Sequence, residues 1–183
     1  MRIVAGKYGG RRLEVPKNRD IRPTSDKVRG AIFNALEARG VVQGARVLDC
    51  FCGTGALGLE ALSRGADFCS FWDKDKASLG LTRANAEGLG AVGQCGFELR
   101  DARRVIEVKN SKPYTLLFLD PPYRNNLITP VLQGLYEKEY IGCGGYCVLE
   151  MEKDCEPILN GPFEVQFEKT YGESKVFIAS YSG

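Results

Sequence analysis

The residues most able to do chemistry stand where a run of four apolar residues, 116–119, meets Asp120-Pro121-Pro122-Tyr123. An uninterrupted apolar run predicts a strand that is buried on both faces of a sheet. The two prolines end such a strand because they fix φ and have no backbone N–H to donate. Open α/β sheets bind ligands at the carboxyl ends of their parallel strands, so we expect Asp120 to face a ligand.

Asp120, the carbonyl group of Pro121 and the ring of Tyr123 together suit one chemical task, the handling of an amino group on a flat ring. The lone pair of such an amino group is delocalised into the ring, which makes the nitrogen a poor nucleophile. A carboxylate and a rigid carbonyl could each accept a hydrogen bond from one of its N–H groups. These bonds would turn the lone pair towards an electrophile and stabilise the positive charge that develops on the nitrogen. An aromatic ring could stack on the base. The alternative is a turn that ends the strand and has no chemical role.

A glycine-rich loop follows the first predicted strand, with Gly53, Gly55 and Gly58 in the pattern G-x-G-x-x-G. This pattern occurs in dinucleotide-binding proteins, where the first glycine follows the strand directly so that backbone N–H groups can hold a pyrophosphate. Here Asp49 ends the strand, and three residues separate it from Gly53. A carboxylate at this point would repel a phosphate but attract a cationic amino group. S-adenosylmethionine has an ammonium, a sulfonium and no phosphate, and therefore suits this loop better than a dinucleotide.

Two more acids follow predicted strands. Asp73 comes twenty positions after Gly53 and could accept hydrogen bonds from both hydroxyls of a ribose. Asp101 could bind the adenine amino group together with the backbone of Ala102, or it could cap the helix expected after it. With Asp49, these acids would form a row along one edge of the sheet. The predicted cofactor-binding residues are Asp49, Phe51, Gly53, Gly55, Asp73, Lys74, Asp101, Ala102 and Asp120.

These residues need a parallel sheet to bring them together, and the chain from residue 45 onwards has the pattern of one. Short apolar runs alternate with segments of helical periodicity, which is typical of parallel strands joined by helices. The expected strands are residues 45–50, 68–72, 97–99, 114–119 and 145–151, followed by an antiparallel pair at 163–169 and 175–181. The expected helices are residues 57–64, 76–87 with Asp75 as cap, 102–109, and one that begins with Thr129 as N-cap and Pro130 as its first residue.

The first thirty residues are basic, with nine Lys and Arg against three Asp and Glu, a net +6 in a chain whose total is +2. The spacing predicts a β-hairpin around Gly9-Gly10 and then an amphipathic helix that is capped by Thr24 or Ser25 and closed by Gly40. A basic arm is typical of contact with nucleic acid, although a solvated surface without function would have the same charge. The candidate RNA-binding residues are Arg11, Arg12, Arg22, Thr24 and Arg29.

Composition excludes several classes of protein. At 183 residues, with 44% hydrophobic and 26% charged residues, the chain has the size and composition of one globular domain. It contains no histidine, which removes His-based triads and His-based zinc sites, and its seven cysteines lack zinc-site spacing. The odd number of cysteines and a first segment without the apolar run of a signal peptide indicate reduced thiols and a cytoplasmic protein, with neither a metal nor a membrane span.

Two groups of motifs resemble known families. The run Asp49-x-Phe51-x-Gly53-x-Gly55, with residues 120–123, resembles the class I S-adenosylmethionine-dependent amino methyltransferases. Residues 2–13, 22–29 and 33–34 resemble, more narrowly, the bacterial 16S rRNA guanine-N2 methyltransferases of the position-966 type, and this resemblance covers essentially the whole chain. One departure is Asp73, where glutamate would be as common as aspartate; the shorter acid should still reach a ribose.

The resemblance implies a Rossmann-like class I methyltransferase fold, with a mostly parallel seven-stranded sheet and an antiparallel closing strand. Residues 1–40 would form a basic hairpin and helix extension, and residues 41–183 the S-adenosylmethionine-dependent methyltransferase domain. The implied reaction is methyl transfer from S-adenosylmethionine to N2 of a guanine in 16S rRNA. The substrate would be a small ribosomal subunit or an assembly intermediate, and the enzyme a monomer. Asp120, Pro121 and Tyr123 would be its catalytic residues.

Three other functions remain open on the sequence. A DNA adenine or cytosine amino methyltransferase would use the same catalytic motif, but such enzymes usually need a target-recognition domain, for which no room remains here. An NAD-dependent oxidoreductase would use the glycine loop but would leave residues 120–123 without a role. A non-catalytic RNA-binding assembly factor would bind RNA but no cofactor, and the row of acids argues against it.

Overall fold

Seven strands form one sheet in the computed structural model, which describes residues 1–16, 25–105, 112–122, 127–159 and 161–183. The strands are β1 (Arg46–Asp49), β2 (Phe68–Asp73), β3 (Cys95–Leu99), β4 (Tyr114–Leu119), β5 (Ile141–Glu152), β6 (Phe163–Tyr171) and β7 (Ser174–Tyr181). The helices are α1 (Asp26–Glu37), α2 (Ala56–Ser63), α3 (Lys76–Leu89) and α4 (Ile128–Glu137). None of these helices is both long enough and apolar enough to span a membrane.

The strand order in the sheet is β3-β2-β1-β4-β5-β7-β6. Strands β1 to β5 run parallel, whereas β7 runs antiparallel to both of its neighbours, β5 and β6. The predicted fold class is confirmed: the sheet is mostly parallel and has an antiparallel closing strand. The order reverses between β1 and β4, and at such a switch point the carboxyl ends of the strands leave a crevice for a ligand.

Strand β4 is buried on both faces, as its apolar sequence predicts. Leu116 and Phe118 belong to a core that includes residues of α1, α2 and α3, whereas Leu117 and Leu119 belong to a second core with residues of α4. The two cores cover the two faces of the sheet, because successive side chains of a strand point to opposite faces. The same alternation decides from which face a residue at the end of a strand projects.

The amino-terminal extension packs against α2, a helix that is buried along its whole length. Arg2 and Arg12 form an antiparallel bridge, as the predicted hairpin requires, and the apolar side chains of the hairpin enter the core of α1. The Glu60 carboxylate on α2 accepts hydrogen bonds from the backbone N–H groups of Val4, at 2.7 Å, and Ala5, at 3.0 Å. The extension and the sheet therefore share one hydrophobic core.

The predicted caps of the first and the last helix differ in outcome. Ser25 caps α1 by accepting a backbone N–H, which confirms one of the two predicted caps, while Thr24 lies outside the described residues. Helix α4 instead has Leu127 as its N-cap, so the prediction of Thr129 as cap and Pro130 as first residue is wrong by two positions. Pro130 is tolerated there because the N–H groups of the first helical turn have no partner within the helix.

Two further elements depart from prediction. Residues 102–104 form a turn and a bend in place of the predicted start of a helix over 102–109, and residues 106–109 lie outside the described residues. Strand β5 begins at Ile141, four residues before its expected start, and pairs with β4 through an irregular register after Tyr114. The start of the strand was not predicted because it contains several glycines, and glycine is depleted in strands.

Candidate active site at the carboxyl edge of the sheet

A cavity of about 550 Å³ opens at the carboxyl ends of the parallel strands, at the switch point of the sheet. Pro121 lines it, and so do eight of the nine predicted cofactor-binding residues. The sheet therefore brings the predicted acids of all four strand ends to one place. The eight residues are Asp49, Phe51, Gly53, Asp73, Lys74, Asp101, Ala102 and Asp120.

Gly55 does not line the cavity and has a packing role in the described structure. It is the N-cap of α2, with a φ of 76° that favours glycine. A Cβ added to Gly55 would lie 2.6 Å from the Cγ2 atom of Thr82, which is too close for any side chain. Gly55 therefore allows α2 to begin against α3.

The N–H groups of the glycine motif are used within the protein. Gly53 donates to Oδ2 of Asp73 at 3.0 Å, and Gly58 donates to Oδ2 of Asp49 at 3.1 Å. Gly55 donates to a backbone carbonyl at 2.6 Å. In a dinucleotide site these N–H groups would face the pyrophosphate. The loop is organised around two carboxylates, which argues against a phosphate ligand.

Asp49 is buried at the end of β1, with 2% of its surface exposed. Burial raises the pKa of its carboxyl to about 7; the N–H of Gly58 stabilises the charged form and opposes the shift, and the nearby Asp73 contributes to the rise. A buried carboxyl that titrates near neutral pH gains most when a cation comes next to it, because the cation favours its ionised form. The position of Asp49 in the cavity wall therefore suits a ligand with an ammonium group.

Asp73 connects the glycine loop to the turn after β2. Besides the bond from Gly53, its Oδ1 atom accepts the backbone N–H of Asp75 at 2.9 Å. Each carboxylate oxygen can accept a second hydrogen bond, so Asp73 can still bind the hydroxyls of a ribose. The predicted cap of α3 is confirmed, since Asp75 accepts the N–H groups of Ala77 and Ser78.

Asp101 forms a tight turn with Arg103. The backbone N–H of Arg103 donates to Oδ1 at 3.0 Å, and the guanidinium lies within 3.0 Å of both carboxylate oxygens. These hydrogen bonds lower the pKa of Asp101 to about 2, so its carboxyl is ionised at neutral pH. The capping role considered from the sequence exists, but it serves a turn and not a helix. Arg103 itself lines the cavity, which the sequence did not indicate.

Asn85 of α3 supports the glycine loop from below and also holds the amino-terminal hairpin. Its side-chain amide donates to the carbonyl of Thr54 at 2.9 Å and to the carbonyl of Glu14 at 3.1 Å. Its amide oxygen accepts the N–H of Glu14 at 2.7 Å. The hydroxyl of Thr82 donates to the carbonyl of Gly53 at 3.0 Å. The buried amide of Asn85 thus fixes the hairpin and the glycine loop relative to each other.

Part of the predicted catalytic motif lines the same cavity. Asp120 is half-buried at the end of β4, Pro121 is buried and Pro122 is exposed, and all three line the cavity. Tyr123 lies outside the described residues, so its stacking role stays a prediction. The carboxylate predicted to hold an amino group thus faces the same space as the predicted cofactor residues.

The predicted RNA-binding residues are not all at the surface. Arg11 and Arg12 are exposed on the hairpin, and the guanidinium of Arg11 donates to the carbonyl of Gly88. Arg22 and Thr24 lie outside the described residues. Among the candidate RNA-binding residues that the structure describes, Arg11 and Arg12 are the exposed ones.

Arg29 lies in the interior, which corrects the prediction that it contacts RNA. Its side chain is fully buried, 2.8 Å from Asp26 and 3.4 Å from Glu60, and it also donates to the carbonyl of Arg2. An arginine enclosed and paired in this way cannot reach a phosphate. Arg29 instead joins the hairpin, α1 and α2.

Besides Arg103, the sequence prediction missed other residues of the cavity wall, among them Met1, Arg100 and Glu150. Met1 reaches the cavity from the hairpin, where the hydroxyl of Thr54 lies 3.7 Å from its Sδ atom. The Cζ atom of Arg100 lies 4.4 Å from the centroid of the Trp72 ring, and Arg100 also lines the cavity. Glu150 is buried in β5 and also faces the cavity. An acid within an apolar strand was a usable indication for Glu150, because glutamate is seldom fully buried unless it has a partner.

Comparison with known proteins decides the family. The chain matches the family described as Conserved hypothetical protein 95 over residues 1–180. Ribosomal RNA small subunit methyltransferase D from Escherichia coli (strain K12) is 33% identical over 174 residues, which cover 94% of this chain and 86% of that protein. This chain belongs to the ribosomal RNA small subunit methyltransferase D family. The protein of the same name from Haemophilus influenzae is 30% identical and covers 94% of this chain and 89% of its own length.

Solved structures agree with this membership. The Escherichia coli protein yhhF superimposes with a TM-score of 0.88 at 29% identity, covering 100% of this chain and 98% of that chain. A hypothetical protein from Thermus thermophilus has a TM-score of 0.79 at 28% identity, with 97% of this chain and 98% of that chain covered. The family resemblance predicted from the sequence, to class I rRNA methyltransferases, is therefore confirmed. The methyltransferase D family extends over the hairpin as well as the sheet.

Proposed function

We propose that the protein transfers a methyl group from S-adenosylmethionine to the exocyclic N2 amino group of a guanine in the 16S rRNA of the small ribosomal subunit. One observation carries the proposal: Asp120 and Pro121, which suit an amino group, line the same cavity as Asp49 and Asp73, which suit the cofactor. The printed names of the relatives favour RNA of the small subunit as the substrate.

The cavity fits S-adenosylmethionine in size and in charge. Its volume lies within the range of about 300–1,000 Å³ that is usual for small-ligand sites. Asp49 would hold the ammonium group, Asp73 the ribose hydroxyls, and Asp101 with Ala102 the adenine amino group. A nicotinamide dinucleotide fits less well, because the N–H groups of the glycine motif are bonded to Asp49, Asp73 and a backbone carbonyl.

The cofactor supplies an activated methyl group when it is bound, and the chain supplies position and charge. Asp120 and the carbonyl of Pro121 would accept hydrogen bonds from the two N2–H groups and so direct the lone pair of the nitrogen towards the methyl group. The ionised Asp120 would stabilise the positive charge that develops on the amino group. Tyr123 would stack on the guanine, which has to leave its own stack at a cost of a few kcal/mol, least for a loop nucleotide.

The hairpin would hold the RNA. Arg11 and Arg12 are exposed and would contact phosphates, together with Arg22 and Thr24. Because Asn85 fixes the hairpin to the glycine loop, a phosphate contact on the hairpin would set the distance between the bound RNA and the methyl group. A partly assembled small subunit is the substrate that we expect, and the protein would act as a monomer.

The test is transfer of a radiolabelled methyl group from S-adenosylmethionine to small subunits from a strain that lacks this protein. Naked rRNA and duplex DNA are compared, and the labelled nucleoside is identified by mass spectrometry. The proposal predicts N2-methylguanosine in the RNA of the subunit. Label in DNA, or in N6-methyladenosine, would retain the amino-group chemistry but overturn the substrate. No label, combined with no binding of S-adenosylmethionine in calorimetry, would favour a non-catalytic assembly factor.

A further inference from the structure

We infer that Glu150 recognises the N1–H group of the target guanine and thereby selects guanine over other bases. The inference rests on the proposed function, because it assigns a specificity residue to the same site. The chemical class of the ligand is a purine that carries hydrogen-bond donors on both N1 and N2. Glu150 would act by binding, beside the residues that handle the reacting amino group.

The pairing of β4 with β5 places Glu150 next to Asp120. Leu119 and Leu149 are partners in the parallel register, so Asp120 and Glu150 follow them side by side on strands that lie about 4.8 Å apart. Phe118 and Val148 belong to the same core. Asp120 and Glu150, two residues further along each strand, therefore project from the same face as these two.

Both carboxylates line the cavity, and Glu150 is the more buried of the two. Its exposed fraction is 6%, whereas Asp120 is half-buried. The preceding residues of the strand, Cys147, Val148 and Leu149, are apolar and buried. Because each carboxylate oxygen can accept more than one hydrogen bond, a glutamate on the cavity wall could accept one from a group in the space beside Asp120.

The edges of the bases differ in what they offer to such an acceptor. Guanine has a donor at ring position N1 directly beside its amino group. Adenine and cytosine have a bare ring nitrogen beside theirs, whose lone pair would face the carboxylate and repel it. With Asp120 holding the amino group, Glu150 would gain a charge-assisted hydrogen bond from guanine alone. Sites built around a hydrogen bond of this kind can reject the wrong partner by factors of about 10⁴.

The experiment compares RNA substrates with guanine or 2,6-diaminopurine at the target position. The analogue keeps the 2-amino group but has a bare N1 nitrogen. We expect the unmodified protein to prefer guanine by at least about 100-fold in kcat/KM. In Glu150→Gln the side-chain amide can donate a hydrogen bond to N1 of the analogue. The ratio of kcat/KM for guanine to that for the analogue should therefore fall at least about tenfold, while the affinity for S-adenosylmethionine stays unchanged. Glu152→Gln, which removes a charge two residues away on the same strand, should keep the original preference.

Three results would overturn the inference. The first is equal use of the two RNAs by the unmodified protein. The second is a preference for guanine in Glu150→Gln that stays within threefold of the preference of the unmodified protein. An identical narrowing in Glu152→Gln would show an effect of charge alone. Absence of methyl transfer to guanine by the unmodified protein would instead overturn the proposed function, and the inference with it.

Discussion

The residues at the carboxyl edge of the sheet were predicted from the ends of strands, whereas those of the amino-terminal extension were predicted from local charge. The first prediction agrees with the structure better than the second. At the cofactor end, acids predicted to follow four strands all line one cavity. In the extension, basic residues predicted as one contact surface separate, with Arg12 exposed and Arg29 buried. The end of a parallel strand fixes where a residue lies, whereas a local excess of charge does not show which charges face solvent.

The spacing within α1 explains why Arg29 turns inward. Ile32 and Phe33 follow it by three and four residues, so all three lie on one face of the helix, and this face is buried. A guanidinium is tolerated there because Glu60 lies opposite, at 3.4 Å. That partner is thirty-one positions away in the sequence, and local periodicity contains no information about it.

Replacing Arg29 with alanine should have the largest effect on stability. The change leaves the buried Glu60 without one of its cationic partners, although Arg64 remains at 2.8 Å. Breaking a buried ion pair costs about 3 kcal/mol or more, and we expect a loss of that size in the free energy of unfolding in urea. Arg12→Ala, on the exposed hairpin, should stay within about 0.5 kcal/mol of the original. Equal stability of the two variants would remove the contrast between an interior arginine and a surface arginine.

Asp49 should make cofactor binding depend on pH. Burial raises the pKa of its carboxyl to about 7, so the group takes up a proton as pH falls from 7 to 5 and loses the charge that attracts an ammonium. The affinity for S-adenosylmethionine should then fall by up to about tenfold per pH unit. Asp49→Asn should bind weakly at pH 7 and show little change down to pH 5. Calorimetric titrations at each pH measure this, and a flat profile for the unmodified protein would contradict the assignment.

Arg12 should affect RNA binding by a smaller and salt-dependent amount. Loss of one phosphate contact should reduce the slope of log K against log salt by about 0.7–0.9 and weaken binding to all RNA sequences alike. Filter binding to small-subunit RNA between 50 and 200 mM salt, about the range in which phosphate contacts dominate, measures the slope. The affinity for S-adenosylmethionine serves as the control and should not change. An unaltered slope would show that the exposed hairpin arginine does not contact phosphate.

The boundaries of some elements could be predicted from the sequence alone, and those of others could not. The buried run of β4 was predicted with both of its boundaries, because four apolar residues and two prolines define it without help from the rest of the chain. The start of α4 and the turn at residues 102–104 were mispredicted, since a favourable cap residue does not oblige a helix to begin there.

The cavity wall shows the same limit at the level of single side chains. Asp49 and Asp73 were predicted as wall residues because they end strands. Met1 and Arg103 were not, since they reach the wall through the fold of the hairpin and of a tight turn. Glu150 lies between these cases: its strand was predicted, but its place beside Asp120 depends on the register between β4 and β5.

The most direct test of the central claim, that the cofactor residues and the catalytic motif serve one reaction, is methyl transfer by Asp120→Ala at saturating S-adenosylmethionine. Asp120 lines the cavity, and in the proposed reaction its carboxylate would stabilise the charge that develops on the amino group in the transition state. We expect a loss of at least about 100-fold in turnover, with the affinity for S-adenosylmethionine within about threefold of that of the unmodified protein. Turnover within tenfold of the unmodified protein would contradict it.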